Sequence, residues 1–484
     1  MHFDLPFLAV TIFILDWILR IVCLIYIPRG RRPSSATAWL LTIFIFPTVG
    51  LILFFLIGSP KLSRRRRAIQ RRIDGIIART IPHDDPSLEM LPEQQRTRIQ
   101  PITELAHNLT NLPVVGGNDL KLHTNYELTI QEIVQQVTQA KHTVYLEFYI
   151  IALDDSTQSL FDALAAAVQR GVSVYVMFDA IGSRKYKQFK RMKQLLDEIG
   201  VHWRAMLPVR LRPAQYNRPD LRNHRKIAVF DFKVAYIGSL NLIDKCYERK
   251  DNIAYEELTA ELRGPIVYQC AAIFAGDWYG ETGEILPNLP PTPPSPAHTS
   301  VRALTQLIPS GPSYPHENNL NVFISLLYAA RKRIVITNPY FVPDEALLMA
   351  VIAAAKRGVE VTIINSEAKD QWMVAHAQRS YYEELLRAGV KIYLHKAPIL
   401  LHAKHITIDD DIAVIGSSNM DIRSFQLIME CVVVAYDKQT VTQLKKVQRH
   451  NLAHSRKISL GTWQKRGITK QFLDAVARLT AALQ

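Results

Sequence analysis

Two stretches of this chain carry the same sparse pattern at the same spacing. One runs His224, Lys226, Asp231, then Gly238, Ser239 and Asn241; the other runs His402, Lys404, Asp409, then Gly416, Ser417 and Asn419. Identical gaps at every step identify a duplication, and a duplicated chain has to build the same local structure twice. The flanks agree. In the first copy, 142–151 (HTVYLEFYII) reads as a buried strand, 158–170 as a helix closed by Gly171, and 172–178 as the next strand. In the second, 333–336, 345–357 closed by Gly358, and 359–365 repeat that order. Arg-Gly-Val marks both helix exits, at Arg170-Gly171-Val172 and Arg357-Gly358-Val359. Strands alternating with helices predict an α/β fold whose mixed sheet is covered on both faces.

The pattern has a chemical logic. His and Lys two apart on a strand face the same way. Asp231 and Asp409 fall where a turn is expected, and a second strand then leads to the Gly-Ser-x-Asn element. Each copy therefore offers an imidazole, a fixed cation and two neutral donors, Ser239 with Asn241 or Ser417 with Asn419. A phosphodiester asks for that set: charge stabilisation on its nonbridging oxygens together with proton transfer. A single strand histidine is more often a hydrogen-bonded core residue. Two in identical context, each beside a lysine that is costly to bury unpaired, read as one shared active site. The two aspartates belong to the candidate set, but from the turn they are expected to brace the motif.

Upstream, two apolar segments, 5–27 and 36–58, are each about the ~20 residues that a membrane helix needs. The first carries Asp16 and Arg20, four apart and so on one helical face, where they are expected to neutralise each other; a lipid headgroup or partner helix is the alternative. The start, MHFDLP, lacks the basic region of a cleaved signal. Three arginines (Arg29, Arg31, Arg32) separate the segments, whereas eight basic residues follow: Lys61, Arg64, Arg65, Arg66, Arg67, Arg71, Arg72 and Arg79. That asymmetry predicts two spans with the loop outside and the bulk of the chain in the cytoplasm. The arginine run is expected to touch an anionic membrane surface. The domain expectation is a hairpin over 1–60, a basic linker over 61–110, a first catalytic domain over 111–286, a Pro-rich linker over 287–300 and a second catalytic domain over 301–484.

A net charge of +14 and a pI near 9.5 call for an anionic partner, lipid, phosphorylated substrate or nucleic acid. The juxtamembrane placement of much of that charge favours lipid over nucleic acid. Four scattered cysteines without a CxxC pair argue against a zinc site or a disulfide framework.

Further motifs carry a resemblance: AWLL and FPTVG in the second apolar segment, LEFYI, Arg222-Asn223-His224, Gly264-Pro265, PYFVPD, SYYEELLRAGVKIY and LAHSRKISL. With the paired His/Lys motifs they resemble the phospholipase D superfamily and, within it, the bacterial cardiolipin synthases, over nearly the whole chain. The resemblance implies two halves meeting about a pseudo-twofold axis. It also implies a carboxylate downstream of each Gly-Ser-x-Asn that orients a histidine, here Glu257 and Glu430; choosing Glu257 over its neighbour Glu256 rests on the resemblance alone. The implied reaction is a phosphatidyl transfer between two phosphatidylglycerol molecules through a phosphohistidine. His224 is the expected nucleophile and His402 the acid/base, an order that the symmetry of the motifs leaves open. Lys226, Lys404, Asn241 and Asn419 are expected on the phosphate, with no metal and no other cofactor. The rival expectations are a hydrolytic phospholipase D, a nuclease, and a membrane scaffold with inactive motifs. Oligomeric state stays open.

Overall fold

The computed structural model describes residues 5–81, 86–209, 217–247, 252–287 and 303–480. The chain divides into two compact units, residues 1–62 and 63–484. Most of the expected Pro-rich linker lies outside the described residues.

The first unit holds helices α1 (Leu5–Tyr26), α2 (Pro33–Ile45) and α3 (Pro47–Ile57). α1 is long and apolar enough to cross a membrane. Its 22 residues extend about 33 Å against a hydrocarbon core of about 30 Å. The second apolar segment departs from the expected single span. Proline at position 47 has no N–H to continue the helix, and Phe46 takes φ −128°, ψ 76°. The chain folds back there. Trp39 meets Phe54 edge-to-face at 5.5 Å, and the Arg31 guanidinium donates to the Gly58 carbonyl at 3.0 Å, so the far ends of α2 and α3 are neighbours. A Cβ on Gly50 would lie 2.8 Å from Cα of Ile43, a close approach that glycine permits. Asp16 and Arg20 form the expected pair at 2.7 Å, and Arg20 has a further task. It donates to the Phe44 carbonyl at 3.0 Å, an acceptor at the broken end of α2 that would be costly to leave unpaired in lipid.

The second unit opens with α4 (Arg64–Thr80) and α5 (Glu93–Thr110), where a linker was expected. Both are docked helices. Arg66 pairs with Glu281 at 2.8 Å and Arg72 lies over the Tyr279 ring. Ile99, Ile102 and Ala106 of α5 enter the core. Part of the arginine run is thus engaged by protein.

The first half then supplies strands β1 (Val115–His123), β2 (Thr143–Phe148), β3 (Ser173–Asp179) and β4 (His202–Met206). It continues with β5 (Arg222–Asn223), β6 (Lys226–Phe230), β7 (Val234–Gly238), β8 (Ala254–Glu256) and β9 (Thr259–Arg263). Its helices are α6 (Tyr126–Gln139), α7 (Gln158–Gln169), α8 (Phe189–Glu198) and α9 (Ile266–Thr282). The second half supplies β10 (Ala303–Ser310), β11 (Arg333–Thr337), β12 (Phe341–Val342), β13 (Glu360–Ser366), β14 (Lys391–His395) and β15 (Ile399–Leu401). After these come β16 (His405–Ile408), β17 (Ile412–Gly416), β18 (Met420–Asp421), β19 (Ile428–Tyr436) and β20 (Ser455–Ile458). Its helices are α10 (Asn318–Ala329), α11 (Glu345–Lys356), α12 (Trp372–Ala388), α13 (Ile422–Gln426), α14 (Lys438–Ala453), α15 (Leu460–Gln464) and α16 (Ile468–Leu479).

One mixed sheet runs through both halves in the order β20-β14-β13-β11-β16-β17-β19-β10-β1-β9-β7-β6-β2-β3-β4. Counting outward from the antiparallel β1–β10 pair, the two wings match: β9, β7, β6, β2, β3, β4 on one side and β19, β17, β16, β11, β13, β14 on the other. Gly171 and Gly358, at φ +84° and +90°, close the matching helices α7 and α11. The central strand β10 is buried at every position and the sheet is continuous across the halves, while each half has an apolar cluster largely of its own.

Candidate active site

The expected hairpins are present, β6–β7 and β16–β17, with Asp231 and Asp409 at their turns in the left-handed region (φ +48° and +53°). Asp231 accepts from the backbone N–H groups of Lys141, His142 and Thr143, each at 2.8 Å. Asp409 does the same for Arg331, Lys332 and Arg333 and pairs with Arg98 at 2.8 Å. Their partners are the chain entering β2 and β11, not the histidines.

His and Lys do not share one strand as the spacing suggested. His224 follows β5 and Lys226 starts β6; His402 follows β15 and Lys404 precedes β16. The reason is a change of partner strand. β5 pairs in parallel with the start of β19 and β15 with β8, so each histidine sits where its chain has crossed into the opposite half. The His224 N–H donates to the Met429 carbonyl and the His402 N–H to the Glu256 carbonyl, both at 2.8 Å.

That crossing decides which carboxylate meets which imidazole. His224 Nδ1 lies 3.0 and 3.1 Å from the two oxygens of Glu430, and His402 Nδ1 lies 2.7 Å from Glu257 Oε1. Each histidine is oriented by the other half. The two rings face each other with centroids 6.5 Å apart at 89°. Lys226 Nζ donates to the His224 carbonyl at 2.7 Å and Lys404 Nζ to the His402 carbonyl at 2.5 Å, fixing each ammonium beside its ring.

The serines bond to the carboxylate-bearing strands. Ser417 Oγ donates to Glu430 Oε2 at 2.5 Å and accepts from the Cys431 N–H. Ser239 Oγ exchanges bonds with the Leu258 backbone, next to Glu257. They hold the carboxylate-bearing strands. Asn241 Oδ1 accepts from the Ile150 N–H at 3.2 Å, which turns its amide NH2 away from that backbone, and Asn419 Oδ1 has no partner among the described residues.

The sequence reading missed the aromatic walls. Tyr149 meets the His224 ring at 4.9 Å and carries Lys226 over its face, while Tyr255 meets the His402 ring at 5.3 Å. Tyr340 and Tyr255 both bond Asp370 behind them. For Tyr149 and Tyr340 the only hint was the aromatic content of LEFYI and PYFVP, which a core strand explains equally well; Tyr255 lies outside both motifs.

Burial governs the charges. Desolvation, then Lys226 and Lys404, push the His224 imidazole well below its ordinary value; desolvation, then Lys404 and Lys226, do the same to His402. Burial lowers Lys226 to about 7 and Lys404 to about 8, and raises Glu257 to about 7 and Glu430 to about 8. These groups titrate as a set. Every proton lost makes the site more negative, whichever group loses it, and an anionic ligand prefers the protonated set. The expected result is a kcat/KM for an anionic phosphodiester that falls as pH rises through about 7 to 8, with a steeper fall at low ionic strength. A pH–rate profile rising across that window would contradict this charge assignment.

The sequence matches the family described as cardiolipin synthase, PLD-like domain, over residues 133–278 and 323–450. Residues 18–59 match the one described as phospholipase D-nuclease N-terminal. It is 32% identical to cardiolipin synthase A of Serratia proteamaculans over 441 residues, 90% of either chain. It is also 32% identical to the cardiolipin synthase of Alkalihalophilus pseudofirmus, covering 94% of this chain and 90% of that one. Among solved structures, phosphatidylserine synthase of Haemophilus influenzae shares the fold, with a TM-score of 0.61 at 15% identity over 79% of this chain and 99% of that one.

Proposed function

Because the chain belongs to the family of cardiolipin synthases with phospholipase D-like domains, we propose that it joins two phosphatidylglycerol molecules through a phosphatidyl-histidine, with His224 as nucleophile. It is a phosphatidyltransferase whose two halves work as pseudo-twofold partners about the facing rings. The observation that carries the reading is the crossed pairing, Glu430 on His224 and Glu257 on His402. A carboxylate on Nδ1 fixes the tautomer and leaves Nε2 for chemistry.

His224 Nε2 attacks phosphorus as the bond to the headgroup glycerol breaks, and His402 gives the departing oxygen its proton. Glycerol leaves, and an N–P bond holds the phosphatidyl group. His402 then takes the hydroxyl proton of a second phosphatidylglycerol. That oxygen attacks phosphorus, the N–P bond breaks, and cardiolipin forms with both imidazoles restored. Lys226, Lys404 and the amides of Asn241 and Asn419 bind the nonbridging oxygens. A Glu257 carboxyl raised to about 7 supports a proton shared with His402 at neutral pH.

Water competes as acceptor at about 55 M, so synthesis requires its exclusion and a positioned lipid hydroxyl. Vesicles of phosphatidylglycerol are expected to yield cardiolipin and free glycerol, with phosphatidic acid minor, by mass spectrometry. Phosphatidic acid as the main product would replace the transferase by a phospholipase.

For the membrane unit, α1 crosses the bilayer while α2 and α3 dip in and return. Helices of 13 and 11 residues extend about 20 and 16 Å, short of the hydrocarbon core. The Arg31–Gly58 bond supports a reading in which Arg29, Arg31 and Arg32 lie on the same side as the basic stretch that starts at Lys61. Both clusters then obey the positive-inside rule, with the catalytic unit in the cytoplasm. Reporters inserted at Arg31 and after Arg79 are expected to read as cytoplasmic alike; a periplasmic reading at Arg31 would restore two full spans.

A further inference from the structure

α16 is amphipathic in the inverted sense. Its buried face holds Asp474, 2% exposed, which receives His376 Nδ1 and the Arg466 guanidinium, each at 2.6 Å. Arg478 lies over the Tyr381 ring at 4.4 Å. These contacts fasten the polar side of the helix to α12. The outward side carries Ile468, Phe472, Val476 and Leu479, which are 84, 65, 44 and 85% exposed. At about 100° per residue these four lie within one narrow arc, so they form a stripe and not a scatter. A soluble helix would turn that stripe inward.

The stripe has neighbours of the same kind. Trp372 and Met373, at the start of α12, are 57 and 45% exposed, and the Trp372 ring lies 4.5 Å from, and tilted by 56° to, that of His376, the residue that grips Asp474. Cations lie beside it. Lys470 stands exposed on the helix itself and Lys465 exposed just before it. The ridge is also joined to the active site through the chain. Asp370, two residues before Trp372, holds Tyr340 and Tyr255, and Tyr255 walls His402.

We propose that α16 with Trp372 and Met373 is a membrane-docking ridge of the catalytic unit, seated in the headgroup–acyl boundary of a bilayer that contains anionic lipid. An apolar stripe beside clustered lysine and arginine is the pattern of helices that lie in that boundary. The aromatic Trp372 suits the same depth. The occupant is a lipid surface and not a protein groove partner, because Lys465 and Lys470 stand exposed beside the stripe and the substrate of the adjoining site is itself an anionic lipid. The inference rests in that last respect on the transferase reading. By this device the catalytic unit takes its lipid from the bilayer through its own surface, independently of the helices in residues 5–57.

The test uses full-length protein with Cys246→Ser, since the other cysteines are buried, and a single environment-sensitive fluorophore at Phe472→Cys or, as a control on α7, at Asp162→Cys. Reconstituted into vesicles of phosphatidylcholine and phosphatidylglycerol, the label at 472 should be quenched several-fold by acyl-chain nitroxide lipid and spared by aqueous iodide; the label at 162 should behave in the opposite way. Iodide quenching at 472 equal to that at 162 overturns the proposal. A label at 472 shielded from both quenchers, with two chains cross-linked through it, also overturns it, the occupant then being a second copy. As a separate arm, Phe472→Asp with Leu479→Asp should raise the vesicle-surface KM several-fold without lowering Tm, and an unchanged KM counts against the ridge. Quenching requires no turnover, so the ridge and the transferase reading fail separately.

Discussion

His224→Ala is expected to reduce cardiolipin formation by at least about 10⁴-fold and to leave no covalent phosphatidyl-enzyme, because the atom that bonds phosphorus is gone. His402→Ala should cost a similar factor with phosphatidylglycerol but for a different reason: the glycerol oxygen leaves unprotonated. The two losses separate on a substrate whose headgroup is a p-nitrophenol, a leaving group that needs no proton. On it, His402→Ala should still release one equivalent of nitrophenol and stall as a protein carrying the added mass of one phosphatidyl group. His224→Ala should release none. A pair of rings with centroids 6.5 Å apart leaves room for one phosphorus between them, and the double variant should be no worse than either single one, since both act in one unit. Near-normal turnover by either single variant would end the shared-site mechanism; adduct formation by His224→Ala but not His402→Ala would exchange their roles.

How much of this could be read from the sequence depended on the range of the interactions. The hairpins, the turn aspartates and the glycine-closed helices α7 and α11 follow from patterns of a dozen residues, and they are found within a residue or two of where the spacing put them. The duplication likewise foretold one composite site. What spacing could not show is the exchange of β5 and β15 between halves, because parallel pairing with β19 and β8 joins residues about 150 to 200 positions apart. Without that exchange, a Glu257 that follows His224 in sequence looks like its partner, when it serves His402. The partners of the serines were hidden for a related reason: a hydroxyl near a phosphate site can face the ligand or the carboxylate, and the bond from Ser417 to Glu430 depends on the placement of β19. The bend at Phe46–Pro47 was legible in principle. An apolar run of span length outweighed a proline that removes the N–H needed to continue the helix, although Arg20, reaching the Phe44 carbonyl, is the charged residue that such a break requires.

The exchange makes an asymmetric prediction that an unexchanged fold would reverse. Glu430→Gln keeps shape and volume, but an amide no longer favours the Nδ1–H tautomer or the imidazolium that develops as charge builds on the ring. Losing such a carboxylate costs about 10²- to 10⁴-fold when the tautomer is lost with it. Since Glu430 touches His224 across the halves, Glu430→Gln should behave as a weaker His224→Ala, with adduct formation slow even from the nitrophenyl substrate. Glu257→Gln touches His402 and should form adduct from that substrate at a near-normal rate, then transfer it slowly to phosphatidylglycerol. The pH dependence gives a second readout. Glu430 and Glu257 are raised to about 8 and about 7, and each glutamine variant removes one titrating proton from the set, so the fall of kcat/KM with rising pH should become shallower. Rapid-quench measurement of adduct by intact-protein mass, for both variants on both substrates, reads the pairing directly. If Glu257→Gln blocks adduct formation and Glu430→Gln does not, then either the carboxylates serve their own halves or His402 is the nucleophile. The p-nitrophenyl result for the two alanine variants tells these apart.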